Sequence, residues 1–345
     1  MSRKLVSFAT IAALVGSTGI ADTPNVAVDI APLHSLVSRV MAGIEGPKLI
    51  IQAGASPHEY QLRPSEAKAL QDASLVFWMG EGLTPWMKNA VETLSKNAKK
   101  VTLLEVRETN LLEFRENALF EKHDHDDHAE KDDHDDHDDH DEKDDHDDHD
   151  DHDKKDDHDD HDDHDKKDDH DDHGHGAHDP HAWLSLENAK TWLNLIAAEL
   201  STADPENAGT YFANAASGRM EIDSLAIEIN EILDPVRGKS FVVFHDAYQY
   251  FEKSFDFPSA GAISLSDASD PSPSRVAKIQ GRVKNEKVTC VLAEPQFNPG
   301  IVDTVLSGTD AKTGIIDPLG SELELGPELY SHLMRNIAKT LAGCL

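Results

Sequence analysis

The sequence predicts an α/β protein of two lobes, each a mainly parallel sheet flanked by helices, joined by one long rigid helix. Strand-like apolar runs alternate with helical periodicity in residues 26–104, and the same alternation returns in residues 241–341. Between the two series lies a helical stretch longer than one small domain needs. The chain has 345 residues, which is room for two domains of ordinary size.

Residues 1–21 have the pattern of a signal peptide. Arg3 and Lys4 give a positive start, residues 5–15 are mostly apolar, and Gly19-Ile20-Ala21 is a small-x-small cleavage site. The alternative is a buried first helix or strand. No Cys follows the apolar run, so no lipid anchor is expected there. We expect export, with Asp22 opening the mature chain.

The first lobe is predicted over residues 22–203. Its strands come from short apolar runs, and its helices come from apolar residues at three- and four-residue spacing. The predicted strands are 26–30, 49–51, 75–79 and 101–104, and the predicted helices are 33–41, 65–71, 83–94 and 185–200.

The linking helix is predicted over residues 204–234. Asp204-Pro205 supplies an N-cap followed by proline at the first helical position, and Asp234-Pro235 supplies the stop. A continuous helix of about 29 residues would span ~43 Å, so we expect it to connect the two lobes. Gly218 is the position where it is most easily interrupted.

The second lobe is predicted over residues 235–345, where the pattern of the first lobe repeats. The predicted strands are 241–244, 288–293 and 314–317, and the predicted helices are 246–255, 276–283, 299–306 and 329–341.

The charge of the chain is concentrated in one segment. The formal net charge is −34, and residues 123–178, with 28 Asp, 2 Glu and 6 Lys, carry −24 of it, which leaves −10 for the rest. A chain without a basic stripe is a poor nucleic-acid binder.

No apolar run after the predicted signal peptide reaches the ~18 residues of a membrane span. Two cysteines, Cys290 and Cys344, exclude a Cys₄ zinc site.

The acidic segment, taken over residues 121–178, is a repeat of low complexity. Lys131, Lys143, Lys155 and Lys167 each open the unit Asp-Asp-His-Asp-Asp-His. The repeats contain no apolar side chain to offset the entropy of ordering, so we expect a disordered loop. A solvated acidic linker would explain the Asp but not the regular His, which together suit Zn²⁺ and similar ions. We expect the segment to collect metal or to sense its abundance through weak auxiliary sites. The candidate ligands are His134, His137, His140, His146, His149, His152, His158, His161 and His164.

Three isolated histidines and one acidic residue occupy sequence positions at which α/β proteins commonly bind ligands. His58 lies in a loop after a strand, His245 ends a strand, His181 directly precedes a helix, and Asp317 ends a strand. Ligands of open α/β sheets bind beyond the carboxyl ends of the strands. Three imidazoles and one carboxylate would form a tetrahedral zinc site, whereas manganese would favour more oxygen ligands. Taken singly, each histidine has an ordinary structural or surface explanation.

The motifs around these residues resemble those of the ZnuA-type zinc-binding proteins, the periplasmic solute-binding components of zinc ABC transporters in the cluster A-I family. The resemblance covers residues 22–345 in order. The matching segments are Ala55-Ser56-Pro57-His58-Glu59-Tyr60, Leu62-Arg63-Pro64-Ser65, Asp179-Pro180-His181-Ala182-Trp183, Phe244-His245-Asp246-Ala247-Tyr248-Gln249-Tyr250-Phe251, Ala293-Glu294-Pro295-Gln296-Phe297 and Asp317-Pro318-Leu319-Gly320.

The resemblance implies zinc as bound cargo in a cleft between the lobes, held by His58, His181 and His245. It implies a periplasmic location and an ABC permease at the inner membrane as the partner. Related manganese-binding members carry Glu where this chain has His245. Zinc-binding members often pair two cysteines of the second lobe, which implies a Cys290–Cys344 disulfide; two reduced buried cysteines are the alternative. We expect a monomer that is not an enzyme.

The fourth zinc ligand stays open. Some members use a Glu directly before the first histidine, but this chain has Pro57 there, so Asp317 or a water must complete the shell. Glu59 is a weaker candidate, because neighbouring residues of an extended loop point apart. We expect His34 to be a helix-start residue, His332 to lie on the surface, and Glu294 to hydrogen-bond a ligand.

Two other functions compete with zinc capture. Three histidines around zinc with an open position also activate water in hydratases and hydrolases. A surface protein that buffers metal or mediates adhesion, with the acidic segment as its functional part, is the other alternative.

Overall fold

The structure is a computed structural model that describes residues 23–115, 119–120, 178–265, 271–297 and 299–345. The predicted signal peptide and the nine candidate histidines of the acidic segment lie outside the described residues. Of the predicted loop, His178 is described, and it forms an isolated antiparallel bridge with Glu113.

The described residues form two four-stranded sheets in which every strand pairing is parallel. The first sheet has the order β2-β1-β3-β4, and the second has the order β6-β5-β7-β8. The strands are β1 (Val26–Val28), β2 (Lys48–Leu49), β3 (Leu75–Trp78), β4 (Lys99–Thr102), β5 (Phe241–His245), β6 (Ala262–Ser264), β7 (Cys290–Ala293) and β8 (Lys312–Ile315).

Helices flank both sheets, as alternating strands and helices require. They are α1 (Ala31–Val40), α2 (Pro64–Asp72), α3 (Met87–Leu94), α4 (Leu186–Ala203), α5 (Ala208–Leu233), α6 (Gln249–Phe255), α7 (Pro273–Asn285), α8 (Pro299–Leu306) and α9 (Leu329–Cys344). No helix of the described ranges is both long enough and apolar enough to cross a membrane.

The long helix α5 joins the two sheets. It has 26 residues and packs against α1, α4 and α9. A short 3₁₀ turn, Pro205–Asn207, precedes it, so the α-helix begins three residues after the predicted proline start. The helix continues through Gly218, where the absence of a side chain lets α1 and α4 pack closely against α5. A Cβ there would come within 3.1 Å of Leu193 and 3.2 Å of Arg39.

One large apolar core crosses from the first sheet to the second. It includes β1 and β3 side chains, the inner faces of α1, α4, α5 and α9, and β5 side chains such as Phe241 and Val243. Two smaller clusters cover the remaining faces of the sheets, one in each half of the chain. The continuous core holds the two halves in one compact unit and fixes the place where their strand ends meet.

Candidate metal centre

The three predicted histidines occupy positions that the parallel sheets direct toward each other. His245 is the last residue of β5, and His58 lies in the loop between β2 and α2. His181 directly precedes a 3₁₀ turn, Ala182–Leu184, that leads into α4. His181 and His245 are buried, and His58 is half-buried. The carboxyl ends of parallel strands meet at one edge of each sheet, which is where ligands bind in this kind of fold.

The histidine rings lie close together. The Nε2 atoms of His181 and His245 are 3.4 Å apart. Two nitrogens each about 2.0–2.1 Å from one tetrahedral zinc ion would be about 3.3 Å apart, so this spacing suits a shared ion. The ring centre of His58 is 5.7 Å from that of His181. Within the described part of the chain, no group of three or more His, Cys, Asp or Glu side chains is arranged to hold a metal ion as it stands.

Two carboxylates orient the buried rings. The Nδ1 atom of His181 is 2.7 Å from Oδ1 of Asp179, and Nδ1 of His245 is 2.6 Å from Oε1 of Glu294. A carboxylate accepts the Nδ1 hydrogen, so the Nε2 atom of each ring carries the lone pair that a metal requires. Burial raises the pKa of Asp179 to about 7, while the backbone N–H of His181 and the charge of Arg115 oppose that rise.

The histidines line a cavity of about 10 Å³, which is room for one guest of the size of a water molecule or an ion. Its other walls include Trp183, Gln296 and Phe297. The cavity is far smaller than the pockets of roughly 300–1,000 Å³ that hold drug-sized ligands.

Hydrogen bonds between the two halves of the chain frame the cavity. Nε1 of Trp183 donates to the carbonyl of Pro318 at 2.8 Å, and the hydroxyl of Tyr330 donates to the carbonyl of Trp183 at 2.9 Å. The hydroxyl of Tyr250 donates to the carbonyl of Asp179 at 2.8 Å. These buried bonds join the segment that carries His181 to the second half of the chain.

The loop that carries His58 is held by its own contacts. The backbone N–H of His58 donates to Oγ of Ser56 at 3.2 Å, and Nε1 of Trp86 donates to the carbonyl of Pro57 at 2.8 Å. The loop therefore presents His58 from the first half of the chain toward two histidines that are fixed in the centre of the molecule.

Asp317 does not line the cavity of the three rings, although its neighbours Pro318 and Leu319 do. It lies two residues beyond the end of β8. Its carboxylate accepts hydrogen bonds from the N–H of Leu319 at 2.9 Å, and from both the N–H and the hydroxyl of Ser321 at 2.6 Å. Glu59 is exposed. The carboxylate of Asp317 is thus engaged by the turn that follows it.

The remaining sequence expectations concern three side chains. His34 is buried in the first turns of α1, where Nε2 lies 3.1 Å from the carbonyl of Pro47, and His332 is exposed on α9. Both therefore have the structural positions that the sequence predicted. Glu294 contacts His245 as expected, and the disulfide between Cys290 and Cys344 is present.

Sequence reasoning missed two residues of the centre, Asp179 and Gln296. Asp179 lies two residues before His181 in an Asp-Pro-His turn. At this spacing its carboxylate can contact the imidazole ring of His181. Gln296 follows β7, and its only sequence signal is its position beyond the carboxyl end of a strand.

The fold and the cavity together define a class of protein. Two parallel-sheet lobes joined by a long helix, with an ion-sized cavity where their strand ends meet, are the architecture of a two-lobed substrate-binding protein for a small ion. The model of the family described as "Zinc-uptake complex component A periplasmic" (ZnuA) matches residues 26–344, and the chain belongs to that family.

Known members are similar along nearly the whole chain. The "High-affinity zinc uptake system protein ZnuA" of Brucella abortus (strain 2308) is 41% identical over 337 residues, which are 98% of this chain and 96% of the relative. The protein of the same name from Paracoccus denitrificans (strain Pd 1222) is 40% identical over 339 residues, 97% of each chain. A crystal structure of a ZnuA deletion mutant plus zinc bound has a TM-score of 0.68 and 19% identity, and it covers 94% of this chain and 98% of that one.

The family assignment confirms the resemblance seen in the motifs and, with the structure, the predicted fold class. The family is a periplasmic component of zinc uptake, so zinc is confirmed as the cargo. Its members are transport components, which confirms that the chain is not an enzyme and removes the hydrolase alternative.

Proposed function

We propose that this protein captures Zn²⁺ through His58, His181 and His245 and delivers it to an ABC permease in the inner membrane. The observation that carries the proposal is the 3.4 Å separation of the His181 and His245 Nε2 atoms beside an ion-sized cavity. His58 is half-buried on a loop, lines the same cavity, and has its ring centre 5.7 Å from that of His181. Family membership supports zinc as the ion and a membrane transporter as the recipient.

Substitution of the histidines tests the capture site. The full chain is titrated with zinc in competition with a chromophoric chelator, and the tight site is observed at less than one equivalent of zinc. Each of His58→Ala, His181→Ala and His245→Ala should weaken that site by more than about 100-fold, because each removes a direct ligand. His332→Ala is the matched control, since it deletes an exposed imidazole. A tight site that survives in His181→Ala or His245→Ala would refute the assignment.

We also propose that the acidic segment, residues 121–178, collects zinc and passes it to the central site. The support is compositional: the repeated unit Asp-Asp-His-Asp-Asp-His combines imidazoles with carboxylates and has no apolar residue. Deletion of residues 123–173 should leave one tight site and remove the weaker ones. Zinc uptake by cells that carry this deletion should fall at low zinc and recover when zinc is abundant. Loss of the tight site in the deletion variant would contradict the proposal that the segment only collects zinc and that the three histidines form the tight site.

Delivery is tested separately from binding. Cells that lack their own copy of the binding protein should regain growth under zinc limitation with the wild-type chain but not with His245→Ala. A chain that restores growth without binding zinc would show that its contribution to uptake is not capture.

A further inference from the structure

The side chain of Gln296 forms part of the wall of the zinc cavity. Its amide group is buried and has no hydrogen-bond partner among the described residues. The residue lies just after β7 and lines the same small space as the three histidines. Both Nε2 and Oε1 are buried, and neither has a hydrogen-bond partner among the residues that the structure describes. Buried amide groups are nearly always paired, because an unpaired one loses its bonds to water without replacement. Such a group at a binding cavity points to a ligand that pairs with it.

The neighbouring carboxylates already have other contacts. Oε1 of Glu294 is 2.6 Å from the His245 ring, and Oδ1 of Asp179 is 2.7 Å from the His181 ring. The carboxylate of Asp317 accepts three hydrogen bonds from its own turn. A tetrahedral zinc ion bound by three imidazoles has one further position, and a water molecule commonly fills it.

The chemistry of an amide suits that water better than it suits the ion. Zinc in proteins takes Cys, His, Asp and Glu as direct ligands, so an amide oxygen is a poor competitor for the metal. A water bound to zinc is a strong hydrogen-bond donor, and an amide oxygen is an acceptor that carries no charge. An amide does not take up a proton at neutral pH, so it can hold the water without turning it into a reactive hydroxide.

We propose that Gln296 holds the water that completes the zinc shell, with Oε1 accepting a hydrogen bond from it. This inference rests on the proposed zinc site and adds to it the identity of the fourth position and the residue that selects it. Gln296 acts through the water, so it is a positioning residue.

The test compares two substitutions of the same size in the full chain. Gln296→Leu removes both polar atoms, and Gln296→Glu keeps an acceptor oxygen. Zinc affinity is measured by chelator competition at less than one equivalent of zinc. Gln296→Leu should bind zinc about tenfold more weakly, the usual range for a residue that supports a metal ligand. Gln296→Glu should not lose affinity, since it retains the acceptor and a carboxylate is itself a zinc ligand. Gln71→Leu, an exposed glutamine on α2, is the control and should match wild type.

A second readout distinguishes this from a structural effect. Without zinc, Gln296→Leu should melt at the wild-type temperature or above it, because the substitution removes a buried amide that has no partner. A variant that is less stable without metal and binds zinc as tightly as wild type would overturn the inference.

A crystal structure of the zinc complex decides the identity of the fourth ligand. A water on zinc within hydrogen-bond distance of Gln296 supports the inference, and a carboxylate of Asp317 or Glu59 on zinc overturns it. A wild-type chain without a tight zinc site would overturn both this inference and the proposed function. A tight three-histidine site with an affinity that Gln296→Leu leaves unchanged would overturn this inference alone.

Discussion

Arg115 of the first half of the chain forms a buried ion pair with Asp246, the residue that follows His245. Its Nε atom donates to both carboxylate oxygens of Asp246 at 3.0 Å, and its Nη1 atom donates to Glu252 at 2.7 Å. Burial raises the pKa of Asp246 to about 6, and the charge and hydrogen bonds of Arg115 oppose that rise, so the pair is ionised at neutral pH. The cluster attaches the chain segment before the acidic repeats to the strand end that carries His245.

Arg115→Met should therefore destabilise the protein by about 3–5 kcal/mol, because it leaves two buried carboxylates without their cation. Urea unfolding of the metal-free chain measures the loss. Lys68→Met is the control, since Lys68 and Asp72 form an exposed pair on α2 whose loss should cost less than about 1 kcal/mol. Equal effects of the two substitutions would show that the Arg115 cluster contributes no more than a surface pair.

Substitution of the two orienting carboxylates should weaken zinc binding without removing a ligand. In Asp179→Asn and Glu294→Gln, a neutral amide replaces the carboxylate that accepts the Nδ1 hydrogen of the histidine. We expect each to lower zinc affinity by about 10–100-fold, less than the loss of a histidine. Chelator competition gives the affinities, and Glu92→Gln on the exposed face of α3 serves as the control. Wild-type affinity in both variants would show that the carboxylates do not tune the rings.

The Cys290–Cys344 disulfide should contribute about 4 kcal/mol to stability. It joins β7 to the last residue of α9 and closes a loop with a sequence separation of 54 residues. On the chain-entropy model, a loop of that length stabilises the fold by ~4 kcal/mol through the unfolded state. Unfolding of a Cys290→Ala, Cys344→Ala double variant measures the difference. A change below about 1 kcal/mol would contradict the estimate.

The buried carboxyl of Asp29 should give stability a component that falls as pH rises. Burial raises its pKa to about 7, although the N–H groups of Met79 and Ile30 donate to it and oppose the rise. The unfolded chain releases this proton near pH 3.9, so between pH 4 and 7 the folded state binds one proton more. Stability from this group is therefore present below about pH 4 and is lost as pH rises to 7.

The measurement for Asp29 compares the wild type with Asp29→Asn, which cannot titrate at that position. The free energy of unfolding of the wild type, relative to the variant, should fall by up to about 1.4 kcal/mol per pH unit between pH 4 and 7. Urea titrations at four pH values give the slope. A difference that stays constant or grows with pH would refute the raised pKa.

Much of the fold was predictable because its interior strands and helices have strong periodic patterns. Helix α8 has the bounds that the sequence predicted, and the buried strands β3 and β5 differ by one residue at one end. Among the strands, the largest errors fall at the edges of the sheets, and β6 is not predicted from the sequence at all. Strand β6 has three residues and lacks an alternating pattern, and β8 begins at polar Lys312 because an edge strand is paired on one side only.

Helix α3 shows how local hydrogen bonds displace a predicted start. The sequence predicts a helix from residue 83, but the N–H groups of Leu83 and Thr84 donate to the carbonyl of Gly80 and form turns. The helix begins at Met87. Capping and turn contacts of this kind depend on the path of the chain, which periodicity does not contain.

The candidate site was predictable only for residues whose position in the topology marks them. His58 and His245 follow strands, and His181 precedes a helix, so the parallel-sheet rule brings them together. The roles of Arg115 and Gln296 depend on contacts between segments that are distant in the sequence. No spacing of residues predicts such contacts. Asp317 follows a strand too, yet its own turn engages its carboxylate.

The small volume of the cavity limits the chemical form in which a metal ion can enter it. A hydrated divalent ion carries several water molecules, and a chelated ion carries its organic chelator. Neither complex fits as a whole into a space of about 10 Å³. An ion that reaches the three histidines must therefore exchange most of its waters, or its chelator, for the imidazoles. We therefore expect competing chelators to change the rate of zinc loading as well as its final extent.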